Sequence, residues 1–333
     1  MCFNLIKHNL PLKVVVINDE VFSGCINIEN FTVSSKLTSI GNNAFYNCQK
    51  MTSIFLPDDI QTIGNSAFYG CKTLKEVTLP DAIINLGDYA FKDCVNLTKV
   101  IIPLKLANVG VQAFDNTKWY DNLSVYEEKP TENKFHIYGD GVLIKADIID
   151  NSSIVIPENV KSIAAFTFTN WGKINDREFY NSKLPKSITI PDGVTSIGDY
   201  AFANCASLKT AIFQPSLSST PLMVSTLSEG YGPFYNTPLQ TVEINRDVRV
   251  DKAQILGRNE SLFGGKETLT QVTLGEQVKK LHPYEFAGSS ITSITIPSNI
   301  TEIGDNAFLE CTKLATVKIE ESNTPLKIGY PWI

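Results

Sequence analysis

The sequence predicts a solenoid of the α/β class, with about 11–12 coils of 23 residues and one short parallel β-strand in each coil. Two observations lead to this prediction. Five cysteines recur at intervals of 23 residues, at Cys2, Cys25, Cys48, Cys71 and Cys94. The residues between them repeat a single apolar pattern. A unit of this length cannot bury its own apolar face, so neighbouring units must stack into a continuous core.

The repeating unit is C-x-x-L-x-x-I-x-I-P-x-x-I-x-x-I-G-x-x-A-F-x-x, as in the copy that starts at Cys48. Its I-x-I stretch alternates and is β-branched, which predicts a strand with one buried face. Proline cannot donate a ladder hydrogen bond, so Pro57 should end the strand. Gly64 is expected to supply the backbone conformation that turns a corner. Ala67 and Phe68 should fill the core from the opposite side.

The signature I-G-x-x-A-F-x-x-C, seen at 63–71 and 303–311, resembles the BspA-like (Treponema pallidum type) leucine-rich repeats of surface proteins. The resemblance covers most of the chain. It implies a right-handed leucine-rich-repeat superhelix. It also implies adhesion to host matrix proteins, or to other cells, at a bacterial cell surface.

One departure from ordinary leucine-rich repeats is the missing asparagine column after the strand. The residues in that place are Lys36, Asp59, Ala82, Lys105, Gly193 and Asn299. The side of each coil opposite the strand must therefore satisfy its backbone hydrogen bonds in another way.

We expect a single leucine-rich-repeat domain, 1–333, with two interruptions. Regular coils occupy 1–117, 154–213 and 233–333. The insertion 118–153 contains Asp140-Gly141 between apolar runs, which predicts a β-hairpin excursion. The insertion 214–232 is rich in Ser, Thr and Pro, which predicts a loop.

Composition excludes several partners. With 29 basic and 35 acidic residues the net charge is −6, so nucleic acid is not expected. The apolar runs are too short to span a membrane. The start shows no secretory signal, and Cys2 is already in phase with the repeat, as in a trimmed fragment or a natural cytosolic start.

The cysteines should be buried thiols in one internal file, neither disulfide-bonded nor bound to zinc.

The sequence predicts no cofactor and no enzymatic activity. The three histidines, His8, His136 and His282, are scattered, and no nucleophile motif accompanies them. A glycan-processing parallel β-helix enzyme is the alternative, since its coils have a similar length. Such a site needs carboxylates clustered on adjacent strands. A structural spacer that displays another domain is the second alternative.

The outward strand positions follow from the repeat phase. Half of these 24 positions are Ser or Thr, and five are charged. Glu76 and Lys99 are expected to be diagonal neighbours that form an ion pair. The face suits an extended protein, and possibly a glycan. From it we take as candidate binding residues Phe55, Glu76, Thr78, Lys99 and Ile101.

The insertions add aromatic candidates, because aromatic residues dominate interface hot spots. These candidates are Tyr126, Tyr138, Tyr180 and Tyr231. For Trp119 and Trp171 we favour a structural role as plugs of a locally interrupted core.

Overall fold

The computed structural model describes residues 7–103, 106, 108–123, 132–148, 153–165, 167–168, 185–217, 221–224, 232–250, 262–263 and 267–331. The chain divides into two compact units, 1–129 with 136–145 and 130–135 with 146–333. The division falls within the predicted insertion 118–153. The single domain 1–333 stays a prediction.

Each coil contributes a short strand to a series of parallel sheets, here called the first ladder, which is interrupted between Ser53–Phe55 and Glu76–Thr78 and between Gln271–Leu274 and Ser293–Ile296. Repeat-equivalent residues pair, so Asn30 lies opposite Ser53 and Phe31 opposite Ile54. The strands of the first unit are Lys7–Asn9, Asn30–Thr32, Ser53–Phe55, Glu76–Thr78 and Lys99–Ile101. Those of the second unit are Ser153–Val155, Ser187–Ile190, Thr210–Phe213, Thr241–Ile244, Gln271–Leu274, Ser293–Ile296 and Thr316–Ile319. Twelve such strands in the described residues confirm a solenoid of about the expected coil number.

A second, shorter ladder runs through the I-x-x-I-G part of the repeat, where the sequence did not predict strands. In the first unit it contains Val16–Ile17, Ser39–Ile40, Thr62–Ile63, Asn85–Leu86 and Asn108–Val109. In the second unit it contains Ser162–Ile163, Ser196–Ile197, Leu222–Val224, Val248–Val250, Lys280–Leu281, Glu302–Ile303 and Lys327–Ile328. Most of these strands have two residues, which is too short for a period-2 pattern to be recognised.

The predicted loop insertion 214–232 is wrong at Leu222–Val224. These residues pair in parallel with Ser196–Ile197 and with Val248–Val250. Leu222 and Val224 are buried and Met223 points outward, the alternation of a half-buried strand. The polar composition on both sides of this short segment concealed it.

The predicted excursion within 118–153 contains a short helix and a β-hairpin. The helix is Lys118–Asn122, and the Thr117 side chain caps it by accepting a hydrogen bond from the Tyr120 N–H. The strands Lys134–Tyr138 and Val142–Asp147 are neighbours in one sheet. Gly139 and Gly141 lie in the turn between them, with φ of 55° and 82°. The hairpin predicted at Asp140-Gly141 is therefore confirmed.

Phenylalanine and cysteine form two internal files in the first unit. The rings of Phe22, Phe45, Phe68, Phe91 and Phe114 stack with centroids 5.0–5.6 Å apart. Cys25, Cys48, Cys71 and Cys94 are all fully buried, which confirms the predicted internal file. All six cysteines in the described residues are free thiols.

The cysteines also link successive coils by hydrogen bonds, which the sequence did not predict. The Cys48 thiol donates to the Phe22 carbonyl at 3.2 Å, and the equivalent thiols of Cys71, Cys94, Cys205 and Cys311 bond in the same way. Burial raises the pKa of Cys205 to about 12, so its thiol stays protonated and donates. Thr237 replaces cysteine in another coil, and its hydroxyl donates to the Phe202 carbonyl instead.

The corner glycines are required for a reason other than the predicted one. Gly87 lies outside the left-handed region, and an added Cβ would lie 2.4 Å from the Gly64 carbonyl carbon. Gly110 would meet Gly87 at the same distance. The predicted turning role is therefore wrong. The column is glycine because the backbones of successive coils approach too closely for a side chain.

The side chain of the residue after this glycine accepts a backbone N–H group of the next coil. It thereby does on this side of the coil what the asparagine column does in ordinary leucine-rich repeats. The Asp19 carboxylate accepts the Asn42 N–H at 2.7 Å, and Asn42 accepts the Asn65 N–H at 2.8 Å. Asn65 and Asp88 continue the ladder through the N–H groups of Asp88 and Val111. The sequence signal was present in the Gly-Asn and Gly-Asp pairs.

Two buried charged residues interrupt the repeat in the second unit. Arg246 is 1% exposed, and its guanidinium donates to three carbonyls, those of Pro191, Asp192 and Val194. Glu285 stands where Ala307 stands in the next coil and is also 1% exposed. Its carboxyl accepts the His282 N–H at 2.6 Å, and burial raises the pKa of Glu285 to about 8.

Replacing Gly87 by alanine should lower the free energy of unfolding by about 1–3 kcal/mol, because the new methyl group collides with Gly64. Urea unfolding measures this change. The sign is decisive: at a glycine with ordinary φ and open space, alanine would instead stabilise by about 0.4–1 kcal/mol.

Replacing Arg246 by methionine should lower the free energy of unfolding by about 3 kcal/mol or more, because three buried carbonyls lose their donor. Chemical denaturation measures the loss. Arg249→Met is the matched control, since the Arg249 side chain is 58% exposed and the change there should stay within about 0.5 kcal/mol. Equal effects of the two variants would contradict the role given to Arg246.

Glu285→Gln should flatten the pH dependence of stability. The folded-state pKa of about 8 lies above the ordinary value of 4.5, so folding favours the protonated acid. The stabilising contribution is fully present below pH 4.5 and is lost as the pH rises to about 8. Urea unfolding at several pH values tests this, with the exposed Glu276→Gln as control. If the free energy of unfolding of Glu285→Gln changed with pH as much as that of the wild type, this prediction would be contradicted.

Candidate functional site

The candidate site is the outward face of the first ladder in the first unit. Alternation within each three-residue strand buries the central side chain and exposes the two flanking ones, as in Ser53–Phe55 and Glu76–Thr78. Parallel register pairs Asn30–Thr32 with Ser53–Phe55 and Glu76–Thr78 with Lys99–Ile101, whereas Ser53–Phe55 and Glu76–Thr78 belong to separate sheets. Stacking of the coils places the exposed repeat-equivalent residues in two columns. One column contains Phe55, Thr78 and Ile101, and the other contains Ser53, Glu76 and Lys99.

The first of these, here called the Phe55–Ile101 column, is the most apolar part of the face. Phe55 is 70% exposed and Ile101 is 46% exposed. Thr32 pairs with Phe55, and Thr78 pairs with Ile101. In the same three coils the rings of Phe68, Phe91 and Phe114 are 5.0 and 5.6 Å apart, so Phe55 and Ile101 stand about 10 Å apart with Thr78 between them.

The second column carries the charges. Glu76 and Lys99 are direct partners in the register, which corrects the predicted diagonal arrangement. Glu76 and Lys99 are one repeat of 23 residues apart, and parallel pairing places such equivalent residues directly opposite each other. The Lys99 ammonium lies 3.6 Å from the Glu76 carboxylate, and both side chains are 63% exposed. At this exposure the pair contributes under about 1 kcal/mol to stability and stays available to a partner.

The first-ladder face of the second unit is different in character. It has two outward columns of paired residues. The first contains Ser153, Ser187, Thr210, Thr241 and Gln271, and the second contains Val155, Thr189, Ile212, Glu243 and Thr273. From Ser187 to Glu243 these side chains are half-buried. Val155 is an isolated exposed apolar residue, at 55%. This face offers hydroxyls and no pair of large exposed apolar side chains in one column.

The insertion aromatics are placed only in part. Tyr138 is half-buried, and its ring lies 5.5 Å from the ring of Trp119. Trp119 in turn contacts Phe114 edge to face at 4.9 Å and so extends the phenylalanine file, as the plug interpretation predicts. Tyr138 is thus partly engaged in packing. Tyr126, Tyr180, Tyr231 and Trp171 lie outside the described residues.

Two of the three histidines have described side chains, and each has its own surroundings. His136 is buried within the hairpin, and the side chain of His8 is not among those described. His282 bonds through Nε2 to the Val248 carbonyl at 2.5 Å, and burial lowers its pKa. No group of three or more His, Cys, Asp or Glu side chains in the described part of the chain is arranged to hold a metal ion.

A groove of about 250 Å³ lies on the second ladder of the second unit. Glu302 stands in its floor between Lys280 and Lys327, at 2.7 and 3.0 Å. Hydrogen bonds from Lys280 and then Lys327 lower the pKa of Glu302. Asp305 accepts the Tyr330 N–H at 2.8 Å. Each carboxylate of the groove therefore already has a partner within the protein.

No helix in the described segments is long and apolar enough to cross a bilayer.

Several solved structures of bacterial leucine-rich repeat proteins are similar to this chain over most of its length. A leucine-rich repeat protein from Bacteroides ovatus is similar, with 22% identity, a TM-score of 0.40, and coverage of 98% of this chain and 83% of that one. A leucine-rich repeat protein from Eubacterium ventriosum has 21% identity, a TM-score of 0.44, and coverage of 98% and 85%. A leucine rich cell surface protein from Faecalibacterium prausnitzii has 18% identity, a TM-score of 0.32, and coverage of 95% and 88%. No curated protein is significantly similar in sequence.

The family comparison covers most of the chain. A model of the BspA type leucine rich repeat region matches residues 1–120, 172–256 and 230–329, with six copies of the repeat. The matched ranges contain the periodic cysteines, the phenylalanine file and both ladders of the first unit. The chain belongs to the BspA type leucine-rich repeat family.

Proposed function

We propose that this protein is a non-enzymatic recognition module that binds a protein partner at a bacterial cell surface through the Phe55–Ile101 column. Membership of a leucine-rich repeat family supports a protein-binding role in general. The identity of the partner as a host matrix or other surface protein is part of the proposal.

The exposure of Phe55 and Ile101 in one column carries this proposal. Leaving a phenylalanine largely in water forfeits about 1.5–3 kcal/mol of apolar burial. A partner that covers the column recovers that free energy. Both side chains stand on hydrogen-bonded strands, so binding orders little additional backbone. Thr78 between them offers a hydroxyl, and the adjacent Glu76–Lys99 pair offers one charge of each sign for orientation.

An extended polypeptide suits this geometry. Large side chains about 10 Å apart match residues three apart in a polyproline-type extended segment that crosses the strands, which rises about 3.1 Å per residue. Glycoside hydrolysis requires two carboxylates that face each other across the substrate. On this face the residue opposite Glu76 is Lys99 and not a second carboxylate. Leucine-rich repeat families are in general non-enzymatic, and we propose the same for this chain.

Replacing Phe55 and Ile101 together by serine should reduce binding to a protein partner by about tenfold or more, because each change removes apolar area from the contact. Surface plasmon resonance against immobilised fibronectin, laminin and collagen measures the effect. Ile84→Ser is the matched control, since Ile84 is 53% exposed but lies outside both ladders.

The double variant should unfold at the same urea concentration as the control, because neither side chain is part of the core. Wild-type binding to none of the three matrix proteins would contradict the proposed partner class. Equal binding of the double variant and Ile84→Ser would contradict the proposed site.

A further inference from the structure

A row of side chains follows the phenylalanine file on the outside of the first unit. The residue after each phenylalanine points away from the core, and repeat-equivalent members are Ser23, Tyr46, Tyr69, Lys92 and Asp115. Backbone hydrogen bonds hold this turn in register between coils, as in Gly24 N–H to the Tyr46 carbonyl at 2.7 Å. The row is therefore a rigid, regularly spaced surface.

Most of the row is occupied by internal contacts. The rings of Tyr46 and Tyr69 stack at 5.0 Å with an angle of 15° between planes. The Tyr69 hydroxyl bonds to Asp93, which raises the pKa of Tyr69 to about 12. Lys92 bonds to Asp115 at 3.0 Å. From Tyr69 onward, the polar groups of the row are paired.

The end of the row at Tyr46 is open. The face of Tyr46 that is turned away from Tyr69 looks toward the preceding coil, where the row continues with Ser23 and not with another aromatic residue. Next to Ser23, a Cβ added at Gly24 would meet nothing within 4 Å. Ser23 and Gly24 thus form the floor of a small shelf, and the ring of Tyr46 forms its wall.

The polar groups at this shelf have no partners in the described part of the chain. The Tyr69 hydroxyl reaches an aspartate, Asp93, but the equivalent position for Tyr46 is Gly70. Asn47 folds its amide over Gly70, where an added Cβ would lie 2.2 Å from Asn47 Oδ1. Asn47 therefore points toward the coil of Tyr69, away from the shelf. The hydroxyls of Ser23 and Tyr46 are half-buried, and both are free to bond a ligand.

The equivalent tyrosine of the second unit, Tyr235, has a different aromatic neighbour, so the open face of Tyr46 is not a general property of the repeat. Tyr235 contacts Tyr200 edge to face at 5.7 Å. Asn236, the counterpart of Asn47, donates its amide to Asn204 at 2.7 Å. The shelf is thus a local feature of the coils that contain Ser23 and Tyr46.

We propose that the shelf of Ser23, Gly24 and Tyr46 binds a neutral sugar ring. An aromatic face packs against the weakly positive C–H face of a sugar. The hydroxyl groups of Ser23 and Tyr46 can both donate and accept, as pairing with sugar hydroxyls requires. Glu20, whose carbonyl accepts the Ser23 N–H, adds negative charge beside the shelf, so the shelf does not favour an acidic ligand.

The probes are cello-, malto-, manno- and galacto-oligosaccharides, tested on the full chain by saturation-transfer NMR and titration. The expected result is millimolar binding of at least one probe, since a shallow shelf covers one ring. Tyr46→Ala should weaken that binding about tenfold or more. Ser23→Tyr should abolish it, because a tyrosine is native to the next coils at this position and would cover the open face of Tyr46. That variant should fold as wild type.

Tyr235→Ala is the matched control, because it removes a tyrosine from the same repeat position in the second unit and should leave sugar binding unchanged. Phe55→Ser with Ile101→Ser should also leave it unchanged, so that this proposal and the protein-binding proposal fail separately. The proposal is overturned if no neutral probe binds, if only acidic oligosaccharides bind, or if Ser23→Tyr binds as well as wild type.

Discussion

The close approach of successive coils is the constraint on which the rest of the structure depends. Stacked phenylalanine rings lie 5.0 Å apart, and the backbones at Gly64 and Gly87 come so near that no side chain fits between them. Parallel strands impose a spacing of about 4.8 Å, and every inward residue must fit against copies of itself at that distance. Flat rings, small thiols and glycine meet this condition. The repeat is a direct consequence.

The same constraint explains how the chain tolerates departures from its own pattern. Thr237 replaces cysteine without loss, because a hydroxyl donates to the Phe202 carbonyl as a thiol does. Arg246 is accepted in the interior because three carbonyls surround its guanidinium. Glu285 fits in the alanine column at the cost of a strongly raised pKa. Substitutions in the core thus succeed when the hydrogen bonds between coils are kept or replaced.

The outside of the coils is free of this constraint, and its residues differ from one coil to the next. Repeat-equivalent outward positions hold residues as different as Phe55, Thr78 and Ile101, or Ser23 and Tyr46. The two proposed binding surfaces lie in the first unit but on different sides of the coil, one on the first ladder and one beside the phenylalanine file. A rigid stack presents both without reordering, which suits the recognition of a large partner through several weak contacts.

The sequence alone determined the solenoid, its period, the inward columns and the outward positions of Phe55 and Ile101, because residues that contact their own repeats must recur at the same interval. Tertiary structure decided what periodicity does not encode. It showed the second ladder, whose strands are too short to leave a pattern, and the collision that requires Gly87. It also turned Tyr138 toward Trp119 and left Tyr46 open beside Ser23. An outward residue need not resemble the residue at the same position in the next coil. Its neighbours therefore become known only from the stacked structure.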